Sequence, residues 1–299
     1  MPNKNTILLA ALASIVCLTP IPSFAQKIAP GRQELRPLVF VITGESNSGG
    51  IGKNTDASPK ERTPRPEVQI MNLTSGQFDF EDLQLGVNNL RDHHRLENYY
   101  ATHHGLENGL ANAIAANAFP DHKQVHLIKT GQGGSRISQW AESHSSGFWK
   151  KFVQRTDAAK RQLLDKPQWV VWLSLGINDA IDRAPIARWK LDVRAHVKRI
   201  RSQLPGAVIV MTQFQSMGYP ETNAAIAEIA KDDPNVVAVD STGASSRDKN
   251  HWDYAGLKTV AARMVEATQR QIETSSPTPQ SSTRQVTPPK TAIRGDGSK

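Results

Sequence analysis

Cysteine is almost absent from this chain. Cys17 is the only one in 299 residues, and it lies in an apolar stretch near the N-terminus that reads as a leader. A mature chain without cysteine forms no disulfide, offers no thiolate nucleophile and builds no thiolate zinc site, so it must be held by an ordinary core. Long apolar runs are equally scarce. The stretch 7–18 is the one candidate, and it is too short to span a bilayer comfortably. With Lys4 before it and Ser23-Phe24-Ala25 after it, it has the three parts of a secretory signal, cleaved after Ala25. Val16 stands where a lipoprotein signal needs a small residue before its cysteine. The expected product is secreted or periplasmic, with no membrane span. A run of basic residues is the third absence. The formal net charge of +8 is dispersed, with Arg284, Lys290, Arg294 and Lys299 placed in the last stretch. Such a surplus favours solubility and weak attraction to anionic polymers, and it argues against a nucleic-acid partner.

From 275 to 299 the chain turns to Ser, Thr, Pro and Gln with almost nothing apolar. Such a tail buries too little surface to offset its ordering entropy and is expected to be disordered. One domain over 26–274 remains, long enough for a well-filled core. Within it, apolar runs at 38–43, 124–130, 169–175, 207–212 and 236–240 read as buried strands. Helical segments are expected at 106–118, 148–164, 186–203, 221–231 and 254–272. In 148–164, Phe152 and Ala159 mark a buried face, while Lys150, Lys151, Arg155 and Lys160 are assigned to a wet one. Strands alternating with helices predict a three-layer α/β/α domain around a five-stranded, mainly parallel sheet. The stretch 49–102 is the least patterned. It is expected to be an insertion beside the site, with one short strand at 68–73.

Four short motifs fall at the carboxyl ends of the expected strands, where open α/β sheets bind their ligands. Gly44-Glu45-Ser46-Asn47 follows the first strand. A serine there is ordinarily a helix cap; as a nucleophile it needs a base within reach. Gly131-Gln132-Gly133-Gly134-Ser135 follows the second. Its ordinary role is a turn that glycine makes possible; its chemical role is to aim a backbone N–H at a developing oxyanion without an obstructing side chain. Gly176-Ile177-Asn178-Asp179 follows the third, with Asn178 either a turn residue or an amide donor. Asp248-Lys249-Asn250-His251 precedes the last helix. Imidazole takes and returns protons near neutrality, and a carboxylate three residues away can fix its tautomer. The alternative is a surface loop with an acidic residue at a helix start. A serine early and an Asp/His pair late supply the roles of a hydrolase triad: Ser46, His251 and Asp248. His93, His94, His103 and His104 match no metal spacing, since adjacent histidines diverge, and are assigned to loops near the cleft mouth.

Together the four motifs resemble those of the SGNH hydrolases, the GDSL-like esterase/lipase superfamily. Gly44-Glu45-Ser46-Asn47 is similar to the G-Q-S-N of the sialate O-acetylesterase-like carbohydrate esterases. Gly133-Gly134-Ser135-Arg136-Ile137 with Trp140 is similar to that branch's G-G-T-S-I…W, and Gly105-Leu106-Glu107 to its G-P-E. Three departures stand out: Glu45 in place of Gln, Arg136 in place of a small residue, and Leu175-Gly176-Ile177-Asn178, which follows the general G-x-N-D rather than that branch's Q-G-E. The resemblance implies a flavodoxin-like fold and a serine esterase acting on O-acetylated carbohydrate or another small ester. It implies no cofactor or metal. It makes Ser46 the nucleophile and first oxyanion donor, with Gly134 and Asn178 as further donors; Gly133 is the alternative to Gly134. Arg136 and Trp140 are the expected substrate contacts, Arg136 being suited to a carboxylate or phosphate. A carbohydrate O-acetyltransferase with the same triad, or a carbohydrate-binding protein that has lost catalysis, are the competing functions. Oligomeric state is left open.

Overall fold

Runs rich in Val, Ile, Leu and Trp become strands buried on both faces. In the computed structural model, which describes residues 35–90 and 102–275, Leu38, Val39, Phe40, Val41 and Ile42 are all inaccessible in β1 (Arg36–Gly44). Such a strand needs helices above and below it. The elements that follow are α1 (Ser46–Gly49), β2 (Gly52–Lys53), β3 (Arg65–Thr74), β4 (Gln77–Leu83), β5 (His103–His104), α2 (Leu106–Ala115), β6 (His122–Lys129), α3 (Phe148–Gln162) and β7 (Gln168–Ser174). Then come α4 (Ile177–Ile181), α5 (Ile186–Gln203), β8 (Val208–Thr212), α6 (Pro220–Asp232), β9 (Val236–Val239), β10 (Ser246–Asp248), β11 (His251–Trp252) and α7 (Tyr254–Ser275). The leader, the tail beyond Ser275, and His93 and His94 lie outside the described residues.

The main sheet has the order β4-β3-β6-β1-β7-β8-β9, and every neighbouring pair is parallel except β3 with β4. The five expected strands are its centre and one flank, but the sheet has seven. The two further strands come from 49–102: β3 contains the short strand expected at 68–73, and β4 was not foreseen. Ser75 and Gly76, both at positive φ, close the β3–β4 hairpin, as tight two-residue hairpins require. β4 reads Gln-Phe-Asp-Phe-Glu-Asp-Leu, with only Leu83 buried and Phe78, Phe80 and Glu81 half-buried. It is an edge strand and lacks the continuous apolar run that marks the others.

This hairpin also overturns one helix-face assignment. Arg155 of α3 is buried, not wet. Its Nη1 donates to the Met71 carbonyl of β3 at 3.1 Å, and its guanidinium lies 5.2 Å from the Phe78 ring centroid of β4. Phe152 and Ala159 are buried as expected.

From β1 the chain moves to β3 and β4 and returns through α2 to β6, all on one side of β1, whereas the connections leaving β6, β7 and β8 run through α3, α5 and α6 in the opposite direction along the sheet. With right-handed crossovers this places α2 on one face and the other three on the second. α7 packs against α2. The direction therefore reverses at β1, and its carboxyl end is the crevice where such sheets bind ligands.

A buried ion pair ties these layers together at that crevice. Lys129 Nζ, at the end of β6, lies 2.8 Å from Glu107 Oε2 of α2, and both side chains are inaccessible. Lys129 also donates to the Gly49 carbonyl at 2.8 Å. Glu107 accepts the Gly105 N–H at 2.9 Å and the Asn89 amide at 2.8 Å. Burial alone would raise the Glu107 carboxyl, but Lys129 and Asn89 hold it below its ordinary value. Removing one member strands the other charge in the interior. Lys129→Met is expected to cost about 3–5 kcal/mol in urea unfolding, and adding Glu107→Gln should recover part of that loss. A Lys129→Met cost below about 1 kcal/mol would show that the pair is not needed.

Candidate active site

Ser46 opens α1 directly after β1, where the chain turns sharply. Gly44 permits this turn: its φ is 120°, and a Cβ there would sit 2.0 Å from the Ser174 carbonyl oxygen. The Glu45 N–H donates to that same oxygen at 2.7 Å. Ser46 is 9% exposed, so its hydroxyl lies at the floor of the crevice. As the first residue of a helix, its N–H has no intrahelical acceptor.

Asp248 and His251 meet Ser46 from the far end of the chain. β10 and β11 form a two-stranded hairpin turned by Lys249 and Asn250, in which Asp248 and His251 are paired. This turn, rather than a helix start, brings the two side chains together. His251 Nδ1 is 2.9 Å from both Asp248 carboxylate oxygens, and Nε2 is 3.0 Å from Ser46 Oγ. With Nδ1–H donated to the carboxylate, Nε2 is left to accept the serine proton. Burial would raise the Asp248 carboxyl; the Asn250 N–H, His251 and the nearby Arg247 outweigh it and hold the group below its ordinary value.

Asn47 and Tyr219 fasten this hairpin, and neither role was legible in the sequence. Asn47 donates from Nδ2 to the Asn250 carbonyl at 2.9 Å and accepts the Trp252 N–H at 3.2 Å. It thus holds the hairpin through the residue next to the serine; its place in the Gly44–Asn47 motif was the available signal. The Tyr219 hydroxyl donates to Asn250 Oδ1. An aromatic between Gly218 and Pro220 reads only as part of a turn.

The loop after β6 supplies backbone donors. The Gln132 N–H binds the Gly44 carbonyl at 2.8 Å, and Ser135 N–H closes the turn on the Gln132 carbonyl at 3.2 Å. Between them lie Gly133 and Gly134, whose N–H groups have no partner among the described residues. Gly134 takes φ 73°, and no atom would meet a Cβ there. Backbone conformation, not crowding, accounts for that glycine.

Asn178, in the first turn of α4 after β7, sits against Glu45. Its Nδ2 donates to Glu45 Oε2 at 2.6 Å and to the Ser135 carbonyl at 3.2 Å. Both amide hydrogens therefore have acceptors, and Asn178 bridges the first and second motifs. Glu45 also accepts the Ile177 and Asn178 N–H groups, each at 3.2 Å.

The two expected substrate contacts are placed otherwise. Trp140 is wholly buried, donates to Ser135 Oγ at 3.2 Å and packs on Phe148 and His196. It supports the Ser135 turn from beneath and presents no face to a ligand. Arg136 is ion-paired with Asp182 at the surface. His104 is buried against Asn54 and Tyr254, and His103 bonds Thr102; no group of three metal-ligating side chains forms among the described residues.

Glu45 is wholly buried and has no cation beside it comparable to Lys129. Burial pushes its carboxyl up to about 8; the Asn178 and Ile177 N–H groups pull it down without prevailing, and Asp179 adds to the rise. The folded chain thus keeps a proton that the unfolded chain releases near its ordinary value of 4.5. The stability this contributes is fully present below that value and is lost as the pH rises through about 8. Glu45→Gln, which cannot ionise, should flatten the fall in melting temperature between pH ~5 and ~9. Parallel curves for the two proteins would assign the fall to other groups.

Comparison with known proteins identifies the family. The family model described as SASA, carbohydrate esterase, sialic acid-specific acetylesterase, matches residues 36–270. Among solved structures, NanS aligns with a TM-score of 0.60 at 17% identity, covering 80% of this chain and 98% of its own. A protein from Arabidopsis thaliana aligns at 0.58 and 17% identity, covering 78% of this chain and 98% of its own. XAC1771, a carbohydrate acetylesterase from Xanthomonas citri, aligns at 0.55 and 11%, covering 79% of this chain and 56% of its own. A search of curated proteins found no match. At these identities the structures speak for the fold, and the family match speaks for the class. The chain belongs to the SASA family of carbohydrate esterases and is a carboxylic ester hydrolase.

Proposed function

We propose that this protein is an exported serine esterase that removes O-acetyl groups from carbohydrates through an acyl-enzyme. The carrying observation is the linear array from Ser46 Oγ to His251 Nε2 at 3.0 Å and from Nδ1 to both Asp248 oxygens at 2.9 Å. Ser46 Oγ attacks the ester carbonyl as His251 Nε2 takes its proton. Asp248 orients the ring and steadies the imidazolium. The tetrahedral intermediate collapses: the bond from the carbonyl carbon to the sugar oxygen breaks, and His251 returns the proton to that oxygen. Water, deprotonated by the same imidazole, then releases acetate and restores Ser46.

The Ser46 and Gly134 N–H groups serve the oxyanion, with Gly133 as the alternative second donor. Each such donor supplies about 3 kcal/mol of transition-state stabilisation. Asn178 joins them by exchanging its longer contact, to the Ser135 carbonyl, for the oxyanion. Export is supported by the leader at 1–25, and a domain of 26–274 by the family match over 36–270. The family's description favours O-acetylated sialic acids as substrates.

Ser46→Ala is expected to lower kcat for acetate release by about 10⁴-fold or more, and His251→Gln should remove most of the rate as well. The measurement is acetate released from O-acetylated sialic acids, acetylated neutral glycans and p-nitrophenyl acetate. Near wild-type turnover by purified Ser46→Ala would dismiss the nucleophile. Acetate appearing only on an added sugar acceptor, and never free, would make the protein a transferase.

A further inference from the structure

A cleft of about 470 Å³ opens at the same edge of the sheet as Ser46. It lies between the segment around α4, which contributes Gly176, Asp179 and Arg183, and the start of α6, which contributes Tyr219 and Glu221. β1 pairs with β7 and β7 with β8. At about 4.8 Å per strand, the cleft stands one to two strand spacings from the serine. Its volume suits one sugar ring. Both walls are continuous with segments bonded to neighbours of the triad: the Ile177 and Asn178 N–H groups, next to Gly176, donate to Glu45 beside Ser46, and the Tyr219 hydroxyl donates to Asn250 beside His251.

Two of the four non-glycine residues at positive φ among the described residues line this one cleft: Arg183 at 56° and Tyr219 at 48°. Arg183 is informative because its local structure calls for glycine. α4 ends with the Arg183 N–H on the Ala180 carbonyl at 3.0 Å and the Ala184 N–H on the Asp179 carbonyl at 2.9 Å. That is a Schellman cap with Arg183 at the left-handed position, where glycine carries no Cβ penalty. A cation near a helix C-terminus suits the dipole, but one in the last turn does so without positive φ. Among the described residues the Arg183 side chain has no ion pair or hydrogen bond. By contrast Arg136 is engaged by Asp182, which pins this loop in place.

We propose that this cleft is the subsite for the sugar ring of the ester, and that Arg183 is its specificity residue, donating to acceptor oxygens of that ring. The inference rests on the proposed function and names where the alcohol half of the ester lies. A sugar presents donors, acceptors and a flat apolar face. Arg183 supplies donors, Glu221 acceptors, and the half-buried Tyr219 ring a platform. The guanidinium fork takes vicinal hydroxyls or a carboxylate alike.

The test compares kcat/KM on 9-O-acetyl-N-acetylneuraminic acid and on 6-O-acetylglucose with that on p-nitrophenyl acetate, whose alcohol half has no hydroxyl to bind. Arg183→Gly relieves the strained cap, so its melting temperature is expected to stay level or rise by about 2–4 °C. The ratio of sugar-ester to aryl-ester kcat/KM should nonetheless fall by about tenfold or more. Ala184→Trp, which fills the cleft, should lower the same ratio. A fall on the acidic sugar alone assigns Arg183 to the carboxylate, and a fall on both assigns it to hydroxyls; either supports the subsite. Ratios within about threefold of wild type in both variants would overturn it while leaving the esterase intact. Wild-type protein that cleaves the aryl acetate and neither sugar ester would overturn the proposed function, and the subsite with it.

Discussion

The contact between Lys129 and Glu107 is the constraint on which the crevice depends. Two opposite charges wholly removed from water are tolerated only when their remaining valences are filled. Here they are filled by pieces of the site's surroundings: the Gly49 carbonyl at the end of α1, the Gly105 N–H at the start of α2, and the Asn89 amide. Satisfying the pair thus fixes where α1 ends relative to β6 and α2. Ser46 lies three residues before Gly49. Gly133 and Gly134 lie four and five residues beyond Lys129. The spacing between Ser46 and the Gly133–Gly134 turn is set by a bond that touches neither.

Glu45 shows the same residue type in the opposite electrical setting. Glu107 has an ammonium beside it and stays ionised, whereas Glu45 has only N–H donors, which do not overcome its burial. Its carboxyl still organises its neighbours, gathering the Ile177 and Asn178 N–H groups and the Asn178 amide against the turn that carries Ser46. Asn47 does the corresponding work on the other side, clasping the Asp248–His251 hairpin. Residues 45 to 47 therefore act as a three-way joint: one side chain faces the third motif, one the histidine ring, and one the hairpin backbone.

Much of this was legible in the chain. The five expected strands appear within two residues of their expected bounds, because strands inside a sheet covered on both faces are apolar nearly throughout. The Ser46, Asp248 and His251 grouping was legible because each lies at a strand end or in a short local pattern. The β3–β4 hairpin was not fully legible, since an edge strand such as Gln77–Leu83 mixes charge with phenylalanine and has no continuous run. Arg155 followed from the same gap: an arginine on a helix reads as wet unless the hairpin that covers it is known. Trp140 matched a motif in sequence, yet its burial against Phe148 and His196 arises from chain segments on either side of it.

What the amino-acid sequence determined by itself is therefore the alternation of strands and helices, the identity of the chemical groups, and their placement at one edge of the sheet. These follow from local composition and from the handedness of crossovers, which need no knowledge of distant contacts. Only the tertiary structure decided which groups are free to meet a substrate. Arg136 and Arg183 are alike as residues. One is neutralised by Asp182 and the other is left unpaired in a cleft, because an ion pair depends on what the fold brings within about 4 Å, and no spacing along the chain records that distance.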